Sequence, residues 1–362
     1  MELLKFAYEK IFGADTETEG QCAPCQVVCF GNVLLDHTFQ LDDPELLQRH
    51  NLEPGSKGEM ELEEIEKLVT DASNSAKCLV NPGGSALNTT RILKKLGTEA
   101  QFFGSVGSDK RAEQLRDVLR EQCINARLQT IDDTHTGQCI CFIYKDNPTM
   151  YANIGASEKF SLEEISRIAN NNEQTFLRPI ERKQILYIEG FFLTRRTDVC
   201  GHLVENYVRS RRRLAVNLSA PYIVQQQSKT LLKLIERAYF VFGNLKEFEA
   251  LCDVTDCKSV ETLGRQLLEQ SSGPKIILVT NGASGVRLIT NYVGEKEPAG
   301  IVLIEDFKAP RVENVVDATG AGDAFVAGFF HNWLQKRSIT ECVRNAMDVA
   351  ATVITQLGCN LP

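Results

Sequence analysis

Short apolar runs recur along the chain, each ended by polar or small residues and followed by a helix-like pattern. That order leaves few folds open. The first is Val27-Val-Cys-Phe30, ended by Gly31-Asn32; others are Ala100–Val106, Ile185–Phe192, Leu214–Leu218, Tyr239–Phe242 and Ile276–Val279. Runs this apolar read as strands buried on both faces. Between them, Ser161-Leu-Glu-Glu164 matches a capping box, Leu87–Leu96 ends at Gly97, and Ile339, Val343, Ala346, Met347, Ala350, Ile354 and Leu357 fall on one helical face. Repeated strand-then-helix order predicts an α/β fold with a mainly parallel central sheet and helices on both faces.

Two segments break the rhythm. Residues of about 36–62 and 136–155 carry hairpin-like patterns, the second around the turn signal Asp146-Asn147-Pro148. Two β insertions can pair into a small sheet over the main domain, a lid. Residues 1–24 read as a flexible extension, with a short apolar stretch and then the polar, acidic Asp15–Gly20. The folded domain is expected to span 25–362.

Composition narrows the function. Net charge is −8 over 362 residues, a poor basis for general nucleic-acid or anionic-membrane binding. Runs such as Gly190-Phe191-Phe192-Leu193 are too short to span a bilayer, and the N-terminus lacks the pattern of a secretory signal. The twelve cysteines are scattered, and several sit inside strand-like or helix-like runs, which favours reduced, buried thiols. Cys22 and Cys25 have no second close pair to make a metal or redox site. A Walker-type phosphate loop, protein-kinase motifs and a His-x-x-x-His pattern are all absent from the sequence.

Four stretches at predicted strand ends carry chemistry. In Asp317-Ala-Thr-Gly320-Ala321-Gly322-Asp323, small residues let backbone N–H groups converge at a helix start, an anion site beside a carboxylate. Such an Asp can accept a hydroxyl proton during phosphoryl transfer, or simply cap the helix. Asn81-Pro-Gly83-Gly84-Ser85-Ala-Leu-Asn88 offers close backbone approach to a ligand and an amide; an ordinary turn would read the same. Asn32 with Asp36 suits vicinal sugar hydroxyls, with solvated turn residues as the alternative. Asn244-Leu-Lys-Glu247 could orient metal-bound water or phosphate, or cap a helix.

In this order the four stretches resemble the ribokinase-like (PfkB-type) sugar and nucleoside kinases, from about Val27 to Pro362. Ile188-Glu-Gly-Phe-Phe-Leu-Thr194, Asn217-Leu-Ser-Ala-Pro221, Phe242-Gly-Asn244 and Leu357-Gly-Cys359 are similar to the adenosine kinase branch. The resemblance implies a ribokinase-like three-layer fold with a small β-sheet lid. It implies ATP-dependent phosphorylation of the adenosine 5′-hydroxyl to AMP, a purine-salvage step. Asp323 would be the catalytic base and Gly320, Ala321 and Gly322 the anion hole. Asn32, Asp36, Gly84, Ser85 and Asn88 would hold the ribose, and Met150, Ala152 and Phe191 would line the base pocket. Asn244, Glu247, Thr280 and Gly282 would serve ATP, with Mg2+ met by Glu247 through water. Small-molecule substrates, a monomer, and a cytoplasmic location with the nucleus as a further site are expected; nucleic-acid and membrane partners are not.

The chain also departs from that pattern. Lys57-Gly58-Glu59 stands where these kinases carry a Gln-apolar-apolar run against the purine, and Pro148 stands where the lid carries an Arg that is thought to steady the transferring phosphate. Thr319 replaces an Asn and Ala318 a Thr. Lys57 and Glu59 share one face of a strand, and two charges against a purine would cost several kcal/mol, on the order of 2–7, unless paired or solvated. Other acceptors, or a non-catalytic ligand-binding protein, are therefore the competing readings.

Overall fold

The computed structural model describes residues 25–145, 147–170, 184–208, 212–292 and 301–362. The expectations for residues 1–24, for Cys22 and for Asp146 lie outside the described residues.

The large sheet contains β1 (Val27–Phe30), β5 (Ala100–Gly107), β6 (Asn125–Ile131), β9 (Gln184–Glu189), β10 (Arg212–Asn217), β11 (Phe240–Asn244), β12 (Ile276–Thr280), β13 (Val286–Thr290) and β14 (Leu303–Phe307). Its order is β14-β13-β12-β11-β10-β9-β1-β5-β6. Every neighbouring pair from β6 to β12 is parallel, and the β13 and β14 edge is antiparallel. The period-two geometry of a strand explains the all-apolar runs: Val27 and Cys29 of β1 face one core, Val28 and Phe30 the other. The expected mainly parallel α/β sheet is what forms; β6 and the antiparallel edge go beyond that expectation.

The first core packs three helices that matter for the site: Ser85–Lys95, Ala321–Leu334 and Ile339–Val353. The middle one is buried without a break from Ala324 to Asn332. Aromatic rings anchor it to the sheet, with Phe240 meeting Phe329 at 5.7 Å and Trp333 at 5.2 Å between centroids. That packing gives the helix start a fixed position.

A second sheet is ordered β3-β8-β7-β2-β4, from β2 (Leu34–Gln40), β3 (Lys57–Glu59), β4 (Cys78–Gly83), β7 (Gly137–Tyr144) and β8 (Asn147–Asn153). β7 and β8 form the expected hairpin. The first insertion does not: β2 pairs in parallel with β7, β3 pairs in parallel with β8, and β7 and β8 lie between them. The reason lies in the helix Leu62–Ser73, whose Ile65, Leu68 and Ala72 recur at helical spacing and pack with Phe39, Ile140 and Phe142 under this sheet. The strand after that helix, β4, has no counterpart in the sequence reading, and it pairs antiparallel to β2. Only Gly31, Asn32 and Val33 separate β1 in one sheet from β2 in the other.

Among the described residues, no helix is long and apolar enough to cross a membrane. Every described cysteine is free.

Candidate active site

The C-terminal ends of β1, β9, β10, β11 and β12 open toward the second sheet, the position where parallel α/β sheets bind ligands. A cavity of about 330 Å³ lies there, lined from both sheets. Asn32, Asp36, Gly84, Ser85, Asn88, Met150, Ala152, Phe191, Asn244, Glu247, Thr280, Gly320, Gly322 and Asp323 all line it. Of the residues proposed from sequence, Ala321 and Gly282 do not. Ala321 is the first helical residue between two lining glycines, and Gly282 sits in the short turn Gly282–Ser284 beyond β12.

The helix start is built by local constraints. Asp317 is fully buried and accepts from the Thr319 N–H at 2.7 Å and the Gly358 N–H at 2.8 Å, tying the preceding loop to the C-terminal segment. Gly320 has φ +76°, and a Cβ there would stand 2.1 Å from Cys359 Sγ. No side chain caps the helix. Its first backbone donors are thus left to whatever anion enters the cavity. Asp323 does not take the capping role that its position in the sequence leaves open. Being inside the first turn, its carboxylate points across to the Ser85–Lys95 helix, where Oδ1 accepts from Ser85 Oγ at 2.7 Å and Oδ2 from Asn88 Nδ2 at 3.1 Å. Burial lifts its pKa to about 6, against the pull of those two donors and of the Lys57 charge.

The glycine pair also has a different cause from the one expected. A Cβ on Gly83 would fall 1.9 Å from Asp36 Oδ1, and one on Gly84 (φ +107°) 2.1 Å from the Asn32 carbonyl oxygen. The glycines let chain approach chain, and so press Asn32 and Asp36 against the start of the Ser85 helix. Asp36 Oδ1 is buried without a partner, and burial raises its pKa to about 7, with Arg91 opposing and Asp323 and Asp317 adding. Asn32 Oδ1 accepts from Arg196 Nη2 at 2.5 Å.

Asn244 and Glu247 form a complete capping box. Asn244 Oδ1 accepts from the Glu247 N–H at 3.0 Å, while Glu247 accepts from the Asn244 N–H at 2.8 Å and Nδ2 at 2.6 Å. Burial raises the Glu247 pKa to about 7. With both carboxylate oxygens engaged, Glu247 suits contact to a metal through water rather than direct ligation. Among the described residues, no group of three or more His, Cys, Asp or Glu side chains could hold a metal by itself.

The second sheet supplies Lys57, Gly58, Glu59, Pro148, Met150 and Ala152. Among the described residues lining the cavity, Lys57 is the one cationic side chain, against the carboxylates of Asp36, Glu59, Glu189, Glu247 and Asp323. Its charge opposes the burial that raises the Asp323 and Glu247 pKa values, so it acts on the large-sheet side of the cavity as well as on its own sheet. Glu189, Asn217, Ser219 and Tyr222 line the cavity too and carry no role in the sequence reading. Their sequence signals are position, at or beyond the end of β9 or β10, and, for Glu189, Asn217 and Ser219, a place inside the stretches 188–194 and 217–221 that carry the resemblance.

A family model described as pfkB family carbohydrate kinase matches residues 59–362. The adenosine kinase of Saccharomyces cerevisiae is 26% identical over 356 residues, covering 93% of this chain and 96% of its own. Adenosine kinase 2 of Arabidopsis thaliana is 25% identical over 341 residues, covering 92% and 94%. Among solved structures, adenosine kinase of Anopheles gambiae, in complex with P1,P4-di(adenosine-5) tetraphosphate, superposes with a TM-score of 0.82 at 25% identity, covering 94% of this chain and 99% of that one. Adenosine kinase of Schistosoma mansoni with 2-fluoroadenosine shares the fold, with a TM-score of 0.79 at 22% identity and coverage of 94% and 98%.

Proposed function

This chain belongs to the pfkB family of carbohydrate kinases, and on that premise we propose that it transfers the terminal phosphate of ATP to the 5′-hydroxyl of adenosine. The observation that carries the proposal is the Asp323 carboxylate. It is fastened by Ser85 and Asn88 one turn inside a helix start that no side chain caps. A carboxylate with a pKa near 6 is ionised at neutral pH and basic enough to take the hydroxyl proton. The backbone donors from Gly320 to Gly322 would hold the charge developing on the transferring phosphoryl group. Asn32, Asp36, Gly84 and Asn88 would position the ribose, with Phe191 beside the base. Asn244, Glu247 and Thr280 would face the phosphates. Magnesium bound with the nucleotide would supply charge neutralisation, and Glu247 would contact it through water. The second sheet would then act as a lid, and Lys57 as its cation.

The charged Lys57 and Glu59 on that lid favour a second reading, the same chemistry on a more polar acceptor. ADP release measured with adenosine, inosine, cytidine and ribose tests both. Acceptor-dependent release that is greatest with adenosine supports the first reading, and preference for another acceptor supports the second. No acceptor-dependent release from folded protein overturns phosphotransfer to any of them.

A further inference from the structure

Glu189 closes β9 beside Gly31 and lines the cavity, a position for which the kinase chemistry above has no task. The side chain is 1% exposed. One oxygen, Oε2, accepts from the Phe191 N–H at 2.7 Å and from Ser219 Oγ at 3.2 Å. The other, Oε1, is buried and has no hydrogen-bond partner.

The surrounding groups hold this carboxylate in place without satisfying it. Ser219 is fixed with φ +70°, its Oγ accepting from the Gly190 N–H at 2.7 Å and its own N–H bound to Asn217 Oδ1 at 3.1 Å. Arg196, the nearby cation, spends its donors elsewhere. Nε goes to the Phe192 carbonyl at 2.9 Å, Nη1 to the Ser157 carbonyl, and Nη2 to Asn32 Oδ1 at 2.5 Å and the Phe191 carbonyl at 3.3 Å. It lowers the cost of the charge without bonding to it. Burial nevertheless raises the Glu189 pKa to about 7. An orphaned carboxylate oxygen, on a residue that lines a cavity, is costly unless a donor arrives. Near it, a Cβ on Gly31 would lie 3.4 Å from Oε1, so the missing side chain there leaves the oxygen uncrowded on that side.

We propose that Glu189 is a specificity-determining residue whose Oε1 accepts a hydrogen bond from an N–H or O–H donor of the acceptor substrate. This deepens the kinase reading above and rests on it for the identity of the acceptor. A site with a buried acceptor discriminates against analogues that lack the matching donor. The test is Glu189→Gln, whose amide oxygen can still receive Phe191 and Ser219 while its NH2 meets the substrate donor head-on. Thermal melts establish that the variant folds. Adenosine, purine riboside (no base N–H), 2′-deoxyadenosine and 3′-deoxyadenosine are compared in wild type and variant by kcat/KM and by calorimetric binding.

Adenosine binding and kcat/KM should fall about 10–10²-fold in the variant, chiefly through KM, the size of a hydrogen bond to a charged group. The penalty should collapse for the analogue that lacks the donor: purine riboside if the donor is the base amine, a deoxynucleoside if it is a sugar hydroxyl. Equal penalties with all four ligands, or no penalty with adenosine, overturn the proposal. Wild type that binds adenosine without phosphorylating it would refute the kinase reading and leave the Glu189 comparison to be decided by binding. Wild type that binds none of the four overturns both.

Discussion

The two walls of the cavity are made in different ways. The wall from the large sheet is a set of strand ends and helix starts, each fixed by a few close contacts: Asp317 to Thr319, Gly320 against Cys359, the Asn244–Glu247 box. The wall from the small sheet is assembled from distant parts of the chain, with Asp36 opposite Cys139 and Lys57 opposite Met150. In the proposed reading, the first wall carries Asp323 and the helix start that would face the phosphate, together with Glu189 and Phe191 on the acceptor side. The second carries Asp36, Lys57 and Glu59, and there Lys57-Gly58-Glu59 and Pro148 depart from the pattern the sequence resembles. Changes on the second wall can then alter the acceptor without touching the Asp323 turn.

The largest effect should come from the first wall. Asp323→Asn should keep ligand binding and lower turnover about 10²–10⁴-fold, the contribution of a general base. Unchanged turnover would remove the base from the mechanism. The glycines of the same turn should separate. A Cβ on Gly322 would meet nothing within 4 Å, so Gly322→Val should fold normally and lose turnover sharply by filling the phosphate site. Gly320→Ala should instead lose stability, because φ +76° and the Cys359 contact both oppose a side chain. A Gly322→Val enzyme at full rate would contradict the anion hole.

Next comes the second wall. Lys57→Met should lower kcat about 10–10²-fold, less than a fully preorganised donor because Lys57 is exposed, and added salt should shrink the difference between wild type and variant. An unchanged kcat would confine this wall to binding. Glu59→Leu should be gentler, raising preference for adenosine over ribose about 3–10-fold by giving the base apolar surface. Gly58 is a less free position for the same purpose, since a Cβ there would stand 3.1 Å from the Tyr151 ring.

The smallest effect is on stability. The Asp323 carboxyl has a folded-state pKa of about 6, above its ordinary 3.8. Its proton therefore favours folding below the ordinary value, and that contribution is lost as pH rises through about 6. Asp323→Asn should gain Tm over wild type, about 1–3 °C at pH 8 and nothing at pH 3. Melting curves across that range check the sign. A gain at pH 3 alone would reverse it.

The same contrast explains what the sequence disclosed. Asp323 and the Asn244–Glu247 box are legible because each motif is local, its spacing set by one helical turn; β11 leads into Asn244 as expected, whereas the strand expected before Asp323 does not form, Val315 and Val316 lying in irregular chain. The pairing of β2 with β7 is not, because a parallel ladder between Asp36 and Cys139 leaves no trace in either stretch alone. The amphipathic helix Leu62–Ser73 begins where the expected hairpin-like insertion ends, and β4 lies hidden behind it. In sequence Glu189 is a polar strand terminus inside the stretch Ile188–Thr194, with no role of its own. What singles it out is a missing partner, which only three-dimensional packing reveals.

The short passage from β1 to β2 has a mechanical consequence. Gly31, Asn32 and Val33 are all the chain that joins the two sheets there, and the return passage through Gly83 and Gly84 presses against the Asn32 carbonyl. Any tilt of the small sheet must be absorbed at these two touching joints and at the two further crossings, residues 132–136 between β6 and β7 and Ile154 after β8. If Asn32 and Asp36 hold the acceptor as proposed, the grip lies at one of these joints. A molecule that fastens Asn32 and Asp36 would then bias the angle of the small sheet, so that occupancy and tilt would be coupled at the joint itself, with no relay between separate sites.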